Sequence, residues 1–238
     1  MTKASDSPMD GSPARSDDPE GYLGSSYYID FEHPIVRTFV SDHVDTNATS
    51  TRQAVRLFYA VRDQIRYNPY SARLAPGAYR ASATLTARES WCVPKAILMT
   101  AGARLLGIPA RPGYADVRNH LTTENLQALI GTDVFAYHGY VELWLEGRWV
   151  KVTPVFNVEL CQKFGVRPQE FDGTADVLFQ EFDAGGRRHM EYLQDRGPYT
   201  DLPLGEILTD FRERYPRWIA HIEAGAEGDM HVEAGRQP

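Results

Sequence analysis

The chain has 238 residues, 42% of them apolar and 24% charged, with a formal net charge of −7. This composition suits a soluble globular protein with a full core, in one large domain or two small ones. The acidic balance argues against general nucleic-acid or anionic-membrane binding. No apolar run is long enough to cross a bilayer, the start lacks the apolar stretch of a secretory signal, and Cys92 and Cys161 are too few for a disulfide framework. A reducing cytoplasm with both cysteines as free thiols is the expected setting.

In chain order, residues 1–25 are rich in Ser, Asp, Pro and Gly and read as a disordered N-terminal tail. Residues 26–222 read as the folded domain. From Tyr27 to Val40 the pattern fits short extended or helical pieces equally well. From Ser50 to Tyr67 an amphipathic helix is expected, with Ala54, Leu57, Phe58, Val61 and Ile65 inward. Asn68-Pro69 stops it, and an irregular segment follows to Arg88, with Pro76-Gly77 as a turn.

A buried helix is then expected over Cys92 to Leu106, with Pro94 in its first turn and Gly107-Ile108-Pro109 ending it. Position leaves Cys92 two readings. A small apolar core cysteine is the commoner case. A thiol at a helix start is the alternative, where unpaired N–H groups and the helix dipole favour the thiolate and Lys95 adds charge.

A kinked strand is expected over Ala110 to Val117, and a short helix from Thr122 to Ile130. Tyr137 to Thr153 reads as a hairpin turning at Glu146-Gly147, with Trp144 opposite Trp149, Glu142 opposite Lys151 and Tyr140 opposite Thr153. Its aliphatic face carries Val141, Leu143, Leu145, Val150 and Val152. The other face holds two Trp and a Tyr, so it too is expected to be covered in part. Asn157 fits the N-cap of a helix ending at Gly165, with Cys161 in the core. Asp201 to Tyr215 reads as the last helix, and 223–238 as a flexible tail.

A thiol nucleophile needs a base, and the base needs an orienting partner. Of the seven histidines, His33, His43, His221 and His231 sit in polar company near the ends and read as surface residues. His138 starts a core strand. His189-Met190-Glu191 and Asn119-His120 lack partners at ligand spacing, and no glycine loop suits a phosphate, so neither metal nor cofactor is expected. Arg187-Arg188 reads as a solvated loop.

Three blocks in order resemble the transglutaminase-like superfamily, which shares a papain-like core. Cys92, Ala96 and Leu106-Gly107-Ile108-Pro109-Ala110-Arg111, continued by Gly113-Tyr114, resemble its nucleophile block. His138-x-Tyr140-x-Glu142 resembles its histidine block. Trp149 and Pro154 resemble its third, except that Thr153 stands where the family has Asp. The resemblance covers about residues 50 to 157. It implies an α+β fold in which the catalytic helix packs against an antiparallel sheet.

It also implies that Cys92 attacks an acyl carbon while His138 moves the proton. The N–H of Cys92, with Trp91 or the preceding loop, would serve the oxyanion, and Tyr140 would belong to the substrate side. A Thr153 hydroxyl can fix the imidazole tautomer but cannot balance imidazolium charge. Asn157 is the alternative third residue, followed by Asp116, Asp133 or Asp172. The implied substrate bears an amide, peptide or thioester. The Cys92 thioester is resolved by water or by an amine. The alternatives are a condensing acyltransferase of small-molecule biosynthesis and a non-catalytic member that binds a peptide or partner.

Overall fold

The computed structural model describes residues 10–14, 16–120, 122–178 and 190–235. In chain order the elements are α1 (Pro34–His43), α2 (Ser50–Gln64), β1 (Arg66–Tyr67), α3 (Ala81–Ala87), β2 (Glu89–Ser90), α4 (Cys92–Leu105) and β3 (Ala110–Asn119). They continue with α5 (Glu124–Ile130), β4 (Val134–Leu145), β5 (Arg148–Val152), α6 (Val158–Phe164), β6 (Met190–Pro198), α7 (Leu204–Arg214), α8 (Pro216–Glu223) and α9 (Met230–Ala234). The fold is α+β, with a four-stranded antiparallel sheet in the order β5-β4-β3-β6.

Helix α4 is the axis of the molecule. It lacks a polar face, and every residue from Cys92 to Arg104 is buried, as an all-round apolar helix requires. One side lies on β3 and β4, the other on α1, α2 and α3. The hairpin faces it with Val141, Leu143, Leu145, Val150 and Val152, all within the main core. The turn at Glu146-Gly147 has φ of 48° and 80°, the doubly positive conformation a two-residue hairpin favours. Trp144 pairs with Trp149 and Glu142 with Lys151 as expected, but the ladder ends at Val141 with Val152, so the Tyr140–Thr153 pair does not form. Thr153 instead leaves the sheet, its N–H donating to the Val177 carbonyl at 2.9 Å.

Several expectations need correction. Helix α2 stops at Gln64 rather than Tyr67, because Arg66 and Tyr67 pair in parallel with Glu89 and Ser90. The segment after Asn68 is not irregular: it winds into single turns at Pro69–Ser71 and Pro76–Tyr79 and then into α3. The last expected helix is two, broken at Tyr215-Pro216.

The terminal segments, read as tails, pack where they are described. Gly11 donates to the Leu202 carbonyl at 2.9 Å and Ala14 to Pro198 at 2.8 Å. Tyr22 sits edge-on to Trp149 at 5.5 Å. The Arg111 guanidinium lies 4.1 Å over Trp149 and binds Glu142 at 2.6 Å. This strap covers the aromatic face of the hairpin. At the other end, Met230 and His231 are buried on α9, so His231 is not a surface residue. Glu233 there accepts from Thr123 at 2.5 Å and from Tyr70 at 3.0 Å.

Candidate active site

Cys92 is the first residue of α4, preceded by Trp91 in extended backbone. The helix therefore starts at the sulfur, and the free N–H groups of its first turn surround it. The backbone N–H groups of Cys92 and Val93 favour the thiolate, and so does that of Gly139, which comes from β4. Burial acts the other way and wins, pushing the Cys92 thiol up to about 11. A helix start alone therefore does not make this cysteine a thiolate.

Nor does Lys95. Its side chain is fully buried and turns away, donating to the carbonyls of Arg62 at 2.9 Å and Ile65 at 2.6 Å. It closes the C-terminal end of α2, where orphan carbonyls and the negative end of the helix dipole collect. Burial lowers its ammonium to about 7.

His138 lies on β4 opposite Ala115 and is buried. Its chain neighbour Gly139 makes the contact with α4. A Cβ at Gly139 would stand 2.9 Å from the Cys92 carbonyl oxygen and 3.2 Å from the Val93 Cα. Only a residue without a side chain lets the strand come this close. The structure thus seats the strand that carries His138 against the start of α4, with Gly139 at the contact.

The other expected residues divide. Thr153 is buried just past β5. Asn157 stands at the N-cap of α6, but its side chain does not cap; its Oδ1 accepts from the Tyr67 N–H at 3.1 Å. The Tyr140 hydroxyl donates to Asp195 at 3.0 Å, and Lys151 binds the same carboxylate at 2.8 Å. Tyr140 is therefore tied to Asp195 and, through that carboxylate, to Lys151. The Trp91 indole packs edge-on to Trp218 at 5.7 Å and to Tyr79 at 6.1 Å, anchoring the start of α4. Asp116 forms a two-point pair with Arg196 at 2.6 and 2.8 Å, Asp133 pairs with Arg118 at 3.0 Å, and Asp172 binds Thr174. Cys161 is buried as expected, its thiol 3.7 Å from the Phe156 carbonyl oxygen. His189 and Arg187-Arg188 lie outside the described residues.

Sequence reasoning missed Gly139 and the tyrosines around the thiol. Burial holds the phenols of Tyr67, Tyr79 and Tyr114 protonated, and negative charge on Cys92 would add to that effect in each. Tyr67 links the two halves of the site: its N–H binds Asn157 and its ring meets Phe156 at 4.8 Å. Nothing in the spacing of residues 67, 79 and 114 signals that they converge. Gly139 did carry a signal, as a glycine inside a strand pattern beside the candidate base.

A buried helix headed by cysteine, laid on an antiparallel sheet that carries a histidine, fits a transglutaminase-like fold. Residues 37–154 match the family profile described as the transglutaminase-like superfamily, and the chain belongs to that superfamily. Among solved structures, one from Cytophaga hutchinsonii, of a protein given only provisionally as a cysteine protease, is similar to part of the chain. The similarity has a TM-score of 0.42 at 22% identity and covers 58% of this chain and 42% of that one. This chain thus spans less than half of that protein. No curated protein matches the chain. Among the described residues, no helix is long and apolar enough to cross a membrane.

Proposed function

We propose that this protein is a cysteine-dependent acyl-transfer enzyme acting on an amide or peptide in the cytoplasm. The observation that carries the reading is the junction at Gly139, where the N-terminal end of α4 and the strand bearing His138 meet at the sulfur. His138 takes the Cys92 proton. The thiolate sulfur bonds to the acyl carbon, the C–N bond breaks, and the proton passes to the leaving amine. Water, deprotonated by His138, or an incoming amine then displaces the thiol. The backbone N–H groups of Cys92 and Val93 suit a developing oxyanion.

Because burial holds the isolated thiol neutral, His138 must supply the driving force for thiolate formation. Thr153 follows β5 where the family carries an acid, and we assign it as the partner that fixes the His138 tautomer. Asn157 ranks behind it, since its amide oxygen already holds Tyr67.

A second reading is a non-catalytic member of the fold that binds a peptide or partner. Thr153 in the acid position and the raised Cys92 thiol favour it. Mass spectrometry after incubation with a peptide and acyl-amide library separates the two. An acyl adduct on Cys92, absent in Cys92→Ala, is expected, and its decay on adding an amine or in water alone distinguishes transfer from hydrolysis. Peptide retained without any adduct would establish the binding reading instead.

A further inference from the structure

Strand β4 is irregular immediately before His138. Val117 pairs with Phe135 and Ala115 with His138, so Ala136 and Tyr137 together face the single residue Asp116. This is a β-bulge. Tyr137 carries the extra residue's distortion, with φ of 54°, a region that a bulky aromatic enters only when its surroundings enforce it. The bulge sets which way His138 points. In an unbulged ladder continued from Phe135, residue 137 would oppose Ala115, and His138 would project from the other face of the sheet.

Three side chains hold the bulge. The Asp116 Oδ1 accepts from the Tyr137 N–H at 3.2 Å. Arg196 of β6 grips Asp116 through Nε and Nη2, and its guanidinium lies 4.0 Å over the Tyr137 ring. The Tyr215 hydroxyl enters the gap, accepting from the Ala136 N–H at 2.7 Å and donating to the Val134 carbonyl at 3.0 Å. Asp116 is buried, so its carboxylate would be costly to keep there without the bidentate Arg196 pair.

We infer that the Asp116–Arg196 pair is a positioning device for His138, acting through the left-handed backbone of Tyr137. This rests on the proposed Cys92–His138 chemistry. In this role the two residues act by holding the peptide that aims the imidazole.

Iodoacetamide labelling of Cys92 near neutral pH, read by mass spectrometry on the full chain, tests this without a known substrate. His138→Ala serves as the control: if it labels as fast as wild type, the Cys92–His138 reading itself fails. With that control slow, Asp116→Ala is expected to label on the order of tenfold more slowly than wild type, because the base is misaimed. Asp116→Asn, which keeps an oxygen acceptor for Tyr137, is expected to recover to within about threefold of wild type. Wild-type labelling in Asp116→Ala overturns the inference and leaves the proposed chemistry standing. Equal slowing in the Ala and Asn variants also overturns it, since charge rather than backbone geometry would then be the agent. If circular dichroism shows Asp116→Ala to be unfolded, Arg196→Lys decides, because it keeps the charge but loses the bidentate fork. Labelling slowed several-fold there supports the device, and labelling at the wild-type rate removes it.

Discussion

Cys92 and Cys161 are both buried, and burial pushes both thiols up to about 11. What faces each sulfur differs. At the start of α4, three backbone N–H groups point at Cys92, and the strand carrying His138 abuts it. Inside α6, the Cys161 thiol points at the Phe156 carbonyl oxygen 3.7 Å away, and beside the burial stand the Arg62 and Lys95 charges and its own N–H, which favour the thiolate, and Asp63, which opposes it. The proposed nucleophile and the core cysteine are therefore not told apart by exposure. What separates them is the helix start at Cys92, where backbone N–H groups from α4 and from β4 meet one sulfur, and the proposed base on the adjoining strand.

The sharpest way to break this comparison is to remove each sulfur in turn. Cys92→Ala is expected to lower turnover by more than about a thousandfold, as loss of a nucleophile does. Cys161→Ala is expected to leave turnover unchanged and to cost only stability. A Cys161 variant that loses activity would dissolve the distinction.

The next largest effect is expected at Gly139. In Gly139→Val the side chain must push β4 off the start of α4, so the rate of Cys92 labelling should fall by about a hundredfold while Cys161 is untouched. Labelling of Cys92 at the wild-type rate would mean that the close approach is not what activates it.

Lys95 tests the other end of the same turn. Lys95→Met leaves the Arg62 and Ile65 carbonyls without their donor, a loss of about 2–3 kcal/mol in urea unfolding. The pH dependence has a definite sign. Burial depresses the Lys95 pKa in the folded chain from its ordinary 10.5 to about 7, so above pH 7 the unfolded chain binds more protons than the native one. Stability should therefore rise with pH, by roughly 2 kcal/mol between about pH 7 and 9 from this group. Above pH 9 the two raised thiols oppose it, because their native forms hold the extra protons. Lys95→Met should flatten the rise, and a slope that survives in that variant would assign it to other groups.

The smallest difference is expected between the two candidates for the third residue. Thr153→Ala should lower turnover by about fivefold and Asn157→Ala by about twofold, with the reverse order transferring the role to Asn157.

The sequence by itself determined the elements whose signal is local. Cys92 at a helix start, the all-round apolar α4, the Glu146-Gly147 turn and the hairpin register through Glu142 and Lys151 all follow from spacing, turn chemistry and side-chain period. The short motifs placed Cys92 and His138 on their elements for the same reason.

Only the tertiary structure decided what those residues face. Lys95 is one turn from Cys92 in sequence, yet it serves the end of α2, because a long side chain on a buried helix goes where carbonyls need a donor. Tyr140, two residues from His138, is taken up by Asp195, which is 55 residues away along the chain. The bulge at Tyr137 depends on Asp116, Arg196 and Tyr215 from three separate elements, and no local preference of a tyrosine would have announced it. Burial, the largest effect on the thiol at Cys92, is likewise a sum over the whole fold.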